Sequence, residues 1–127
     1  MNIVDTSGWL EYFSDGPNAD KFLAPLQDSS SLIVPVITIY EIFKIVLRES
    51  LENEALQAIA AMEKGKVIEL TPSIAMTASK LSIRYSLPMA DSLILSTAQL
   101  YGCTICTQNS DFQDIPDVKF FPKIVNE

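Results

Sequence analysis

The chain reads as an α/β protein built on a parallel sheet of about four or five strands with helices packed around it. Apolar runs of strand length alternate with segments whose apolar residues recur at helical spacing, the pattern of strand–helix–strand units. The chain has 127 residues, 48% hydrophobic and 20% charged, which suits one globular domain and argues against disorder. No internal repeat, linker-like composition or low-complexity segment divides it, so one domain over residues 1–127 is expected.

The elements follow in order. Residues 2–5 form the first strand, and Thr6 or Ser7 caps a helix carrying Trp9, Leu10 and Phe13, which Asp15-Gly16-Pro17 ends. A short helix is expected over residues 18–26, then a strand over 32–35 beyond the Ser29-Ser30-Ser31 loop. Ile39, Ile42, Phe43, Val46 and Leu47 recur at helical spacing within residues 38–50. A helix over 52–64 is stopped by Gly65, and residues 67–70 make a short strand. Thr71-Pro72-Ser73 opens a helix to Tyr85 with Ile74, Ala78, Leu81 and Tyr85 on one stripe. Residues 90–101 form the next helix, with Gly102 where a C-terminal glycine cap belongs. Strands over 104–107 and 118–121 complete the set.

Several function classes fall away. The apolar stretches are too short or too interrupted to span a bilayer, so no membrane association is expected. The N-terminus lacks a basic segment followed by an apolar one, so a cytoplasmic protein without a secretory signal is expected. The net charge of −7 and pI near 4.4 discourage a general nucleic-acid binder, which usually shows a basic face. They leave room for a nuclease, because bound divalent cations reverse the local sign at a carboxylate cluster. The pairs Lys44 and Arg48, Lys64 and Lys66, and Lys80 and Arg84 read as solvated faces. Cys103-Thr104-Ile105-Cys106 has the thiol redox spacing but lies on a strand, where positions three apart face opposite ways. Two reduced, buried thiols are the better account.

Four acids remain. Asp5 ends the first strand, Glu41 and Asp91 lie in the first turns of their helices, and Asp111 follows the strand over 104–107. Ligands collect at the carboxyl ends of strands in open α/β sheets, and this topology lets all four reach one edge. Each acid also has an ordinary structural role open to it. Glu41 and Asp91 suit a helix dipole, Asp5 suits a helix cap, and Asp111 suits the Asn109-Ser110-Asp111 turn. Those roles do not explain why acids interrupt apolar contexts such as Ile3-Val4-Asp5 and Met89-Ala90-Asp91-Ser92-Leu93-Ile94. The chain has no histidine, and an all-oxygen donor set points to magnesium or manganese rather than zinc.

Asp5-Thr6-Ser7 after the opening strand resembles the first motif of PIN-domain ribonucleases, particularly VapC-type toxins of type II toxin–antitoxin pairs. Ile39-Tyr40-Glu41-Ile42 resembles their second motif and Leu87-Pro88-Met89-Ala90-Asp91-Ser92-Leu93-Ile94, with Ser96-Thr97-Ala98, their third. Thr107-Gln108-Asn109-Ser110-Asp111-Phe112 resembles the last. The likeness runs through essentially the whole chain. It departs at Asn109, where many members carry an aspartate, and at Lys44, where a smaller residue is common. Lys44 is expected to pair with Glu41 three positions away, with RNA phosphate as its other candidate partner.

The resemblance implies a three-layer PIN-like domain and magnesium- or manganese-dependent hydrolysis of RNA, with one or two ions per chain. Asp5 and Asp91 would be the main metal ligands, completed by Glu41 and Asp111 directly or through water. Thr6, Ser7 and Thr107 would be supporting hydroxyls and Asn109 an auxiliary amide, although ordinary caps and turns account for the hydroxyls equally well. A cognate antitoxin would lie in an apolar groove with Trp9, Phe13, Phe43 and Leu47 as candidate contacts, and a homodimer is implied. A housekeeping PIN-type RNA-processing nuclease and an inactive PIN-fold binding module stand as alternatives. A phosphohydrolase of small molecules has little support, because no glycine-rich phosphate loop is present and the chain has only 4 glycines.

Overall fold

The computed structural model describes residues 1–125; the last two residues of the expected 1–127 domain lie outside the described residues. Strand β1 (Asn2–Val4) leads into helices α1 (Thr6–Phe13) and α2 (Ala19–Gln27). Strand β2 (Ile33–Pro35) is followed by α3 (Val36–Glu49) and α4 (Glu52–Met62), and β3 (Lys66–Ile68) by α5 (Pro72–Tyr85) and α6 (Met89–Tyr101). Strands β4 (Thr104–Thr107) and β5 (Val118–Phe120) close the order.

All strand pairs are parallel. β1, β4 and β5 form a three-stranded sheet in that order, and β2 and β3 a two-stranded one. A single parallel bridge between Asn2 and Leu32 joins the two. The strands therefore run in the spatial order β3-β2-β1-β4-β5, and the direction of winding reverses at β1. That reversal leaves a crevice beyond the carboxyl ends of β1 and β4, the usual ligand position in such sheets.

Strand alternation explains the layers. Ile3, Ile33 and Ile105 share a buried cluster with Ile74, Ala78 and Leu81 of α5 and Leu93, Ile94 and Ala98 of α6. Their chain neighbours Val4, Val34 and Cys106 join Trp9, Phe22, Ile42 and Met62 from α1 to α4 on the opposite face. Both faces are covered, so these strands read as continuous apolar runs. Cys103 and Cys106 fall in opposite clusters as free buried thiols, and burial raises the pKa of each.

Local chemistry sets the ends. Thr71 caps α5 by accepting from the Ile74 N–H at 3.2 Å, and Gly102 ends α6 in the left-handed region at φ 65°. Of the caps the sequence offers for α1, Asp5 and not Thr6 or Ser7 is used: it accepts from the Gly8 N–H at 3.0 Å. Helix α3 starts at Val36, earlier than the sequence pattern indicates. Pro35 supplies the extended residue before it, and Thr38 spends its hydroxyl on the Pro35 carbonyl at 2.6 Å instead of capping. Glu41 consequently sits in the second turn of α3, not the first.

Gly8 lets α1 close onto the sheet. A Cβ at that position would lie 2.6 Å from Val4 Cγ1 and 2.8 Å from Phe22 Cε1, inside the core. Gly8→Ala is therefore expected to lower stability by about 1–3 kcal/mol through overpacking, measured as a reduced urea midpoint at unchanged slope.

Candidate active site

Asp5 is the most enclosed acid among the described residues, with 1% of its surface exposed. Its position at the end of β1 and the start of α1 gives its carboxylate several donors. Oδ1 accepts from the Gly8 N–H at 3.0 Å and the Ser7 hydroxyl at 2.8 Å. Oδ2 accepts from the Thr107 hydroxyl at 2.7 Å. Burial raises the Asp5 pKa even though the bonds from Thr107, Ser7 and Gly8 oppose the rise. The cap role and an inward carboxylate thus occur together in one residue.

The end of β4 carries the connection to the other acids. Thr107 Oγ1 accepts from the Asn109 N–H at 2.9 Å, and Asn109 Nδ2 donates to Asp91 Oδ2 at 3.3 Å. Asn109 Oδ1 accepts from the Asp111 N–H at 3.0 Å, capping the short 3-10 turn Ser110–Phe112. Asp91 lies half-buried in the first turn of α6, as the sequence indicates. Glu41 accepts a hydrogen bond from the Thr6 hydroxyl, which ties α3 to the first residue of α1.

The four acids share one electrostatic field. The Asp91 carboxyl is pushed up to about 7, first by burial and then by the charges of Asp5, Asp111 and Glu41. No basic side chain offsets them: among the described residues the one ion pair is Arg48–Glu49, at 3.5 Å. Lys44 does not pair with Glu41. Its ammonium points back along α3 to Tyr40, 3.5 Å from the hydroxyl and 5.5 Å from the ring centroid.

These residues suit a hard divalent cation. The donors are all oxygens, their charge is uncompensated, and a cation between them would relieve the repulsion felt by Asp91. Among the described residues no three acidic or thiol side chains are already drawn into a closed cage around a common point. Thr107 and Asn109 link Asp5 to Asp91 through hydrogen bonds at the end of β4. Sequence reasoning missed Gln108, whose N–H donates to the Ser7 hydroxyl at 3.2 Å; its place between Thr107 and Asn109 was the available signal.

The four expected groove residues are dispersed. Trp9 is 3% exposed and belongs to the core, stacked on Phe13 at 5.6 Å. Phe43 is half-buried and Leu47 exposed. A cleft of about 460 Å³ does open between α1, α3 and α4, and Phe13 is the only one of the four that lines it. Leu10, Ile45 and Val46 form its apolar wall beside Glu49 and Glu54. No helix among the described residues is long and apolar enough to cross a membrane.

Comparisons with known proteins agree with this architecture. No curated protein matches the chain by sequence. The chain is similar to one chain of a toxin–antitoxin complex from Klebsiella pneumoniae, with 25% identity and a TM-score of 0.83 over 98% of this chain and 100% of that one. It is similar in fold to VapC20 from Mycobacterium tuberculosis, a sarcin-ricin loop cleaving toxin, with 15% identity, TM-score 0.74, and coverage of 91% and 95%. A chain of VapBC-1 from nontypeable Haemophilus influenzae gives 19% identity, TM-score 0.72, and coverage of 95% and 96%. The PIN domain profile matches residues 3–118, from β1 into β5 and across all four acids, so the chain belongs to the PIN domain family.

Proposed function

We propose that the chain is a single nuclease domain of VapC type, a metal-dependent endoribonuclease acting as the toxin of a toxin–antitoxin pair. The observation that carries this reading is the hydrogen-bonded run Asp5–Thr107–Asn109–Asp91 at the end of β4, with Asp111 held by the same Asn109. Asp5 and Asp91 would hold magnesium or manganese, with Glu41 and Asp111 completing the site directly or through water. When bound, one or two such ions lower the pKa of a water and offset charge on the leaving oxygen of an RNA phosphodiester. Thr107 and Ser7 hold the Asp5 carboxylate in one orientation, and Thr6 does the same for Glu41. Asp91 must release its proton before it can act as a ligand.

Asn109 bears on the alternative of an inactive binding module. Its amide donates to Asp91 and accepts from the Asp111 N–H, so it orients two of the acids. An aspartate there would add a fifth charge and could not donate when ionised. The departure at Asn109 keeps the inactive module as the alternative, while its two bonds keep Asp91 and the Asp111 turn ordered for the active reading.

The test is cleavage of structured and single-stranded RNAs with manganese, beside an identically prepared Asp91→Asn variant and a chelator control. Wild-type cleavage is expected to vanish in the chelator and to fall at least about 100-fold in the variant, more than loss of a supporting residue usually costs. Equal cleavage by the variant would overturn the assignment of Asp91.

For the antitoxin, the cleft between α1, α3 and α4 offers an apolar wall rimmed by Glu49 and Glu54, suited to an amphipathic segment with basic flanks. Expression toxicity relieved by a co-expressed neighbouring gene product would separate a toxin from a housekeeping nuclease. Phe13→Glu is expected to abolish that relief without reducing cleavage. A cytoplasmic homodimer completes the proposal, checked by light scattering of the purified protein.

A further inference from the structure

We infer that the buried amide pair Asn18–Gln108 positions the metal-binding edge, acting through the chain segment that carries Thr107 and Asn109. This rests on the nuclease reading above and adds two residues to it, one on the α1–α2 loop and one just beyond β4.

Asn18 is fully buried, and Gln108 is 8% exposed. The Asn18 side-chain Nδ2 donates twice, to Gln108 Oε1 at 3.1 Å and to the Pro122 carbonyl at 3.0 Å. Its backbone N–H donates to the Glu11 carboxylate at 2.8 Å. The Pro122 carbonyl only accepts, so the orientation of the Asn18 amide is determined, and with it the oxygen of Gln108 that faces it. Asn18 Oδ1 is buried without a partner among the described residues. The two bonds that the Asn18 amide donates therefore fix both amides in a buried position.

Those bonds act where the sheet stops supporting the chain. The β4–β5 ladder ends at Thr107, paired with Phe120, and the last backbone bond runs from the Phe121 N–H to the Thr107 carbonyl. Three consecutive residues then serve the site. Thr107 bonds Asp5, the Gln108 N–H bonds Ser7, and Asn109 bonds Asp91. Gln108 is the middle of the three, and its side chain runs to Asn18, which is itself tied to the chain after β5. The amide pair thus holds residues 107–109 in place where strand pairing no longer does. Asn18 and Gln108 act through Thr107, Asn109 and Ser7; they are positioning residues.

The experiment measures manganese affinity by calorimetry, kcat and KM for RNA cleavage, and urea unfolding. It uses the wild type, Asn18→Ala, Gln108→Ala, their double variant, and Gln108→Met, which keeps most of the buried volume. Each single variant is expected to weaken manganese binding about 10-fold, the range for residues that orient ligands, and to lower kcat with KM within about twofold. The double variant should be no worse than the weaker single, because either change removes the same bond. Unchanged manganese affinity and kcat in a folded Gln108→Met protein, with only the urea midpoint reduced, would overturn the inference and leave the pair a structural tie. A wild type that binds no manganese would overturn the nuclease reading itself, a result distinct from equal binding by wild type and variants.

Discussion

The metal-free protein is expected to lose stability as pH rises from about 4 to about 8, and manganese should reverse that slope. In the unfolded chain an aspartate gives up its proton near 3.8, whereas Asp91 in the folded protein keeps its proton up to about 7. Between those values the folded state binds more protons than the unfolded one, so unfolding becomes easier as pH climbs. The stabilisation is complete below the lower value and is lost as pH passes through the upper one. Asp5, also raised by burial, acts in the same direction. The loss is about 2 kcal/mol after solvent access to the half-buried Asp91 is allowed for, a shift of several degrees in melting temperature. Excess manganese at about 100 times its dissociation constant would add about 2.7 kcal/mol at pH 8 and much less at pH 5, where Asp91 is protonated. Melting curves across this range, with chelator or with manganese, decide it. A flat metal-free profile would mean that the acids do not share a field.

The same expectation separates two classes of explanation for the four acids. Helix caps and dipole partners stabilise when ionised, so their pKa values fall and stability rises with pH. Asp5 is a true cap and still behaves the opposite way, because enclosure outweighs the bonds it accepts. Asp91 sits in the first turn of α6, where the dipole favours its charge, yet burial and three like charges prevail. On the proposal above, a fold that keeps such groups without a basic partner would be arranged for a cation it does not itself supply.

The parts of this arrangement that sequence could reveal are those carried by local pattern. Ile3-Val4-Asp5 shows a buried strand broken by an acid, and Met89 to Ile94 shows an acid entering an apolar helix. The strand periodicity assigned Cys103 and Cys106 to opposite faces, as found. What local pattern could not carry is direction and distance. Thr38 looks like a helix cap, and only the placement of Pro35 shows that α3 has already begun. Lys44 stands three residues from Glu41, but its ammonium reaches Tyr40 four residues back while the Glu41 carboxylate accepts from Thr6. Asn18 follows Gly16-Pro17 like any turn asparagine; its partners Gln108 and Pro122 lie 90 and 104 residues away. Nothing near it in the chain marks it as buried.

Thr107→Val is expected to be the most damaging single change that leaves every acid in place. Valine matches threonine in shape and suits a strand, so β4 keeps its packing. The hydroxyl it removes has three neighbours in a fully enclosed position. It donates to Asp5 at 2.7 Å, accepts from the Asn109 N–H at 2.9 Å, and lies 3.3 Å from the Ser7 hydroxyl. Its loss leaves a buried carboxylate oxygen short of a donor and a backbone N–H short of an acceptor, at a cost of about 1–3 kcal/mol. Asp5 is then freer to turn, and Asn109, no longer tied to residue 107, loses its aim at Asp91. Manganese affinity and kcat are expected to fall about 10–100-fold together. Thr107→Ser restores the hydroxyl without the methyl group and should recover most of both. A valine variant with wild-type manganese affinity would show that the link from Asp5 through Thr107 and Asn109 to Asp91 supports the fold alone.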